Sequence, residues 1–380
     1  MPRICPAYNR PPRHGSFCCP SLQIPHQGGL TLIELLVALA LGLVLILGVL
    51  GIFVSNRETF RVTENLTRVQ ENTRAGFDFM ARDLREAGQN SCGTNLVANV
   101  IRKGSPAAIP WWADWNTGTI IGIESSNDRT DIVAIGSTTN ARVAGTDAVL
   151  VIQADQAEQV ITAHNTADQE ITLKSVSGLV ADDVVLACDM QSAAIFQIGT
   201  VSTSLKLVSY DPGFATLNCS DELGYPVPNS CTGTLTTKVF SAGGLLSKLT
   251  ASFWYIGNSA SGKRSLYRTR IIKNVTGGVT TITTEPEEMV TGVQDLQMVY
   301  LTKNVSTGVL ASDWVAASDT VFDSGNGAWT DNNLNQVVAA RVTMTLQSEE
   351  SVGTNQQPIQ RQLIHVIGLR SRDTLFSSTP

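Results

Sequence analysis

Between residues 27 and 54 the only ionisable side chain is Glu34, set in "QGGLTLIELLVALALG" at the head of an otherwise apolar run. A carboxylate in a bilayer costs roughly 2.5–3.5 kcal/mol on insertion scales, so it normally marks a function. The chemistry open to it is charge pairing, because a charge in a low-dielectric setting needs an opposite one. Thiol chemistry divides at the same place. Cys5, Cys18 and Cys19 precede Gly29, while Cys92, Cys188, Cys219 and Cys231 follow it. Four cysteines in an exported chain imply two disulfides, with three connectivities open.

Other candidate chemistry is weaker. "GNSASGK", Gly257 to Lys263, fits G-x-x-x-x-G-K, but Arg264 stands where a phosphate loop needs Ser or Thr, and β-like residues follow where a helix must start. A hairpin loop is expected there. Asp319, Asp323, Asn326 and Asp331 offer hard oxygen donors without the spacing of a calcium loop. No C-x-x-C occurs, and His164 and His365 are the only histidines after residue 29 and lack a catalytic partner. No catalytic residue, metal or cofactor is expected. "PWWADW" from Pro110 groups three tryptophans, for which core packing is favoured over an exposed docking patch.

The elements that must position these groups begin with the membrane segment. Leu35 to Val54 is twenty apolar residues without a charge, enough at 1.5 Å per residue to cross a core of ~30 Å. A secretory signal peptide would have a shorter apolar stretch. Arg3, Arg10 and Arg13 before it place the N-terminus in the cytoplasm and everything after Val54 on the far side. The helix is expected to continue, because Val62, Leu66, Val69, Thr73, Phe77, Met80, Leu84 and Ala87 recur three and four apart. Glu64 with Arg68, Asp78 with Arg82, and Arg82 with Glu86 would decorate the opposite face. Gly88 is the expected stop. A helix from Leu30 to Ala87 would span about 85 Å.

From Trp111 onward the pattern becomes short β-rich runs separated by Gly, Asn, Asp and Ser. Candidate strands start at Thr119, Thr130 ("TDIVAIG"), Ala148, Gln159, Glu170, Asp183, Ala194, Leu249, Ser265, Val293, Val337 and Gln360. The fold class is α+β: one long N-terminal helix, half transmembrane and half amphipathic, packed on antiparallel sheet, with an added β-rich region around residues 137–245. Residues 1–29 hold three of the 27 basic residues and none of the 33 acidic ones, so the remainder carries 24 against 33, about −9. That balance argues against a general nucleic-acid surface.

"GGLTLIELLVALALG" resembles the class III signal of type IV prepilins through Gly29, Thr31, Leu32, Ile33, Glu34 and Leu35. "FMARDLREAGQNSCG", "VVLACDMQSAAIFQI", "SLYRTR", "MVTGVQDLQMVYL" and "VVAARVTMTL", in that order, resemble PilW-type minor pilins. The resemblance implies a type IV pilin-like fold with a leader over 1–29, a filament-core helix over 30–54, an amphipathic helix over 55–88 and a periplasmic domain over 89–380. It implies cleavage by prepilin peptidase between Gly29 and Leu30, N-methylation of Leu30, where the family usually carries phenylalanine, and a register-setting contact of Glu34 with a neighbouring subunit's new α-amine. It also implies a Cys92–Cys188 disulfide, which leaves Cys219 with Cys231. The partners implied are prepilin peptidase, other minor pilins, the major pilin, a PilY-type tip adhesin and the inner membrane, with no nucleic acid. The implied work is a contribution, with other minor pilins, to the complex that starts assembly of a type IV pilus and sits near its tip; the retained Glu34 argues against the uppermost position. A type II secretion pseudopilin shares the signal, and a surface-binding module at the tip is the alternative of another class.

Overall fold

The protein is described from a computed structural model. It covers residues 29, 31–93, 96–104, 108–227, 231, 236–276, 279–322, 335–352 and 357–369, with backbone alone at 275, 276 and 279–281. Leu30, the remainder of the leader, and Asp323, Asn326 and Asp331 lie outside the described residues. One helix, α1, runs Leu32–Glu86. The chain forms two compact units divided after Thr59.

In the first unit the apolar turns of α1 leave their side chains exposed, Leu45 at 71% and Phe53 at 64% among them. This segment is long and apolar enough to cross a membrane.

In the second unit the remaining turns of α1 bury the expected stripe. Val69, Thr73, Phe77, Met80, Leu84 and Ala87 are buried, and Val62 and Leu66 are half-buried. The helix ends before Gly88, whose φ of 72° suits a left-handed stop and whose N–H donates to the Ile152 carbonyl at 2.9 Å. Glu64 pairs with Arg68 and Arg82 with Glu86. Asp78 differs from expectation: it meets Arg74 at 3.8 Å, while Arg82 leans toward Glu86. These pairs are solvated and contribute only tenths of a kcal/mol.

The strands are β1 Val97–Asn99, β2 Ile120–Ile123, β3 Ala148–Ala154, β4 Gln159–Asn165, β5 Glu170–Leu173, β6 Val184–Cys188, β7 Ala193–Gln197, β8 Thr200–Ser202, β9 Leu207–Ser209, β10 Leu245–Asn258, β11 Arg264–Thr276, β12 Val279–Thr291, β13 Val293–Asn304, β14 Asn335–Gln347 and β15 Gln360–Gly368. Among the described residues the first twelve form one sheet and the last three another, and every strand pair is antiparallel except β1 with β7. The fourteen-residue β10 joins the parts of the large sheet: its first half pairs with β4 and β6, its second with β3 and β11. The G-x-x-x-x-G-K stretch is the hairpin between β10 and β11, closed by Ser259 N–H to the Lys263 carbonyl at 2.8 Å.

Two apolar clusters result. One joins Met80 and Leu84 of α1 to Trp254, Tyr300, Val342 and Met344; the other gathers Ile161, Ile171, Phe196, Tyr210 and Leu246. The strands β6 and β7 serve both: Leu186, Cys188 and Ile195 face the first cluster, Val185, Ala187 and Phe196 the second. Period-two alternation with apolar residues on both sides explains why "VVLAC" and "AAIFQ" are continuous hydrophobic runs. Trp112 is buried, and Trp111 and Trp115 pack half-buried on the first cluster.

"TDIVAIG" is not a strand. Residues 130–136 make only isolated bridges, Arg129 with Val133 and Ile135 with Arg142. Side chains take the place of a ladder: Asp128 accepts the Ile135 N–H at 2.9 Å. The fully buried Arg142 donates to the carbonyls of Asn127 at 2.7 Å, Glu124 at 2.8 Å and Thr146 at 2.5 Å. One guanidinium thus organises the loop from several sides, as its fixed fork of donors allows.

Candidate functional site

The head of α1 is built on two residues three apart. Thr31 precedes the first helical turn, and its carbonyl accepts the Leu35 N–H at 3.2 Å. Its Oγ1 accepts the Glu34 N–H at 3.3 Å, while Glu34 Oε2 accepts the Thr31 N–H at 3.2 Å and the Thr31 hydroxyl at 3.1 Å. This is a capping box, and a carboxylate in the first turn also suits the helix dipole. Among the described residues Glu34 Oε1 has no partner, so the carboxylate keeps one oxygen for another donor. Ile33, Val37, Ala38 and Leu41 surround it with an open apolar hollow. The T-x-x-E spacing from Thr31 to Glu34 is the sequence signal of this box, a role for Glu34 beyond its charge.

Downstream, Cys92 is bonded to Cys188 and Cys219 to Cys231, with Cα–Cα distances of 5.9 and 6.0 Å. The first bond ties the loop after α1 to the last residue of β6; the second closes the loop that contains Tyr225 and Pro226. The strands that cover α1 then present the remaining region, β10 to β15.

The family model for type IV pilus-assembly protein W, PilW, matches residues 253–367, and that for the prokaryotic N-terminal methylation motif matches residues 24–50. Over these two segments the chain is similar to PilW-type proteins and to prepilin-like signals. Neither curated proteins nor solved structures give a significant match. The PilW match runs from Phe253 in β10 to Ile367 in β15, including the strands that meet α1 at Leu266, Val290 and Met344 around Gly76. The methylation motif spans the capping box and the apolar turns that follow it. The two matches together support a type IV pilin-like role. The motif and the bare apolar helix point to membrane anchoring.

Other residues considered for chemistry have structural surroundings. His164 Nδ1 accepts the Phe240 N–H at 3.0 Å, and Nε2 lies 2.9 Å from the Tyr210 hydroxyl. Burial, then the charge of Lys238, lowers its pKa to about 4. The neutral form is therefore the folded one, and its stabilisation is complete above the ordinary value of ~6.5 and lost as pH falls toward about 4. Asp147 acts in the opposite sense: burial raises it to about 6 even though it accepts the Met298 N–H, so its contribution is lost as pH rises through about 6. The difference between the native chain and His164→Gln isolates the histidine. Urea midpoints of the two should converge as pH falls from 6.5 to 4, because only the native chain loses the neutral-histidine stabilisation; parallel curves would remove it. His365 packs its ring 4.4 Å from that of Phe77.

Proposed function

We propose that the chain is a minor pilin of the type IV pilus, working in the complex that starts assembly and sits at the tip. It is made as a prepilin with residues 1–29 as leader, cut by prepilin peptidase between Gly29 and Leu30, and N-methylated at Leu30. Residues 30–54 anchor it in the inner membrane and later join the filament core, and residues 55–88 carry the periplasmic domain, 89–380. The observation that supports this reading most directly is Glu34 Oε1, unpaired among the described residues, at the head of an apolar helix within a methylation motif. Cleavage creates an α-amine four residues before that carboxylate. Thr31 holds the carboxylate at the helix start, and Oε1 meets the amine of a neighbouring subunit, so burial of either charge requires the other. Register follows from this pairing as the helix leaves the bilayer. Other minor pilins, the major pilin and a PilY-type tip adhesin are the partners; the PilW match favours a pilus over a type II secretion filament.

The test is deletion of the gene followed by complementation. The native chain should restore surface pili, Gly29→Ala should keep its leader by mass spectrometry, and both Gly29→Ala and Glu34→Ala should leave piliation about a hundredfold lower or more, since losing one partner of a buried ion pair costs about 3–5 kcal/mol. Full piliation with both variants overturns the reading.

A further inference from the structure

The strand β15 lies at the end of the smaller sheet and, among the described residues, pairs with β14 alone. Its sequence, "QRQLIHVIG", has no proline or lysine, and its one charged residue, Arg361, stands near the start, so the apolar stretch from Leu363 lacks the residues that commonly protect an edge. Leu363, Ile364 and Val366 are 37%, 59% and 59% exposed. Between this strand and α1 runs a groove of about 550 Å³. Val69, Thr73, Phe77 and Ala81, a single row at four-residue spacing on α1, line one wall, and Leu363 and His365 line the other.

The rim has a charge of its own. Arg74, Arg85 and Arg361 stand around the groove against a single carboxylate, Asp78, which is paired with Arg74. Among the described residues neither Arg85 nor Arg361 meets a carboxylate. This basic rim belongs to a chain whose net charge is −6.

We propose that the β15 edge and the α1 groove form a strand-addition site for an extended segment of another polypeptide that alternates apolar and acidic side chains. Backbone pairing along β15 satisfies the free edge, alternate apolar side chains enter the groove beside Phe77 and Val69, and carboxylates reach Arg85 and Arg361. A helix laid in the same groove would leave the β15 backbone groups unpaired, which favours a strand as the occupant.

The probe is a fluorescent heptapeptide of alternating valine and glutamate, bearing a photoreactive group, mixed with the full chain in detergent micelles. The peptide should bind, with affinity falling as salt rises. Its lysine counterpart and a backbone N-methylated version should each bind about tenfold more weakly or worse, and Arg85→Glu with Arg361→Glu should lose a similar factor. Adducts should map to β15 and the facing side of α1. No binding, equal binding of the lysine or N-methylated peptide, unchanged affinity in the double variant, or adducts confined to β12 overturns the site. If the double variant unfolds, the three peptides on the native chain decide the matter.

Discussion

Replacing Cys92 and Cys188 together by alanine should lower the unfolding free energy by about 4.7 kcal/mol, the chain-entropy value for a loop near one hundred residues. The two cysteines are 96 residues apart. The bond fastens the loop after α1 to β6, and β6 faces both apolar clusters. Without it the unfolded chain regains the freedom of everything between, including β1 to β5. The same replacement at Cys219 and Cys231, separated by 12 residues, should cost about 3 kcal/mol. Urea unfolding of the full chain in detergent, followed by circular dichroism, checks the order of the two losses. An equal loss at both pairs would mean that strain or residual structure, rather than loop length, governs these bonds.

Asp83→Ala should cost about 3 kcal/mol, the scale for removing one partner of a buried charged contact. Asp83 is buried on the packed face of α1, and its Oδ2 accepts the Trp254 indole N–H at 2.9 Å. Arg268 lies 4.0 Å from the same oxygen and 5.5 Å over the Trp254 ring. Loss of the carboxylate leaves a buried N–H without its acceptor and a guanidinium with less of its countercharge. Trp254→Phe removes the donor but also packing, so the pair is separated by a double-mutant cycle, with an expected coupling of about 1 kcal/mol or more. Asp78→Ala is the control, because Asp78 is exposed and should change stability by less than about 0.5 kcal/mol. Similar losses at Asp78 and Asp83 would show that helix charge, not the Trp254 contact, is responsible.

Much of the fold is local and therefore legible before folding. The stripe from Val62 to Ala87 needs only a period near 3.6, and the second half of β14 needs only the alternation of Ala340, Val342, Met344 and Leu346 with Arg341, Thr343 and Thr345. "TDIVAIG" is rich in β-branched residues and is nevertheless loop, because its backbone is satisfied locally: the Ile132 and Val133 N–H groups donate to the Arg129 carbonyl and the Ile135 N–H to Asp128. Asp78 and Asp83 look alike in sequence, five residues apart on one helix. Their environments differ because Asp83 faces a tryptophan 171 residues away while Asp78 faces Arg74 in water.

At the helix start the sequence by itself determined the apolar run, the isolated Glu34, the T-x-x-E spacing and the even set of cysteines after Gly29. Each depends on residue type and short separation, which are properties of the chain before it folds. Only the tertiary structure decided which of two carboxylates on α1 is buried, that Arg142 gathers the carbonyls of Glu124, Asn127 and Thr146, that His164 is held neutral between Tyr210 and Phe240, and that β15 pairs among the described residues with β14 alone, above a basic groove. Those outcomes depend on contacts between residues far apart in the chain, and burial and dielectric exist only once such contacts have formed.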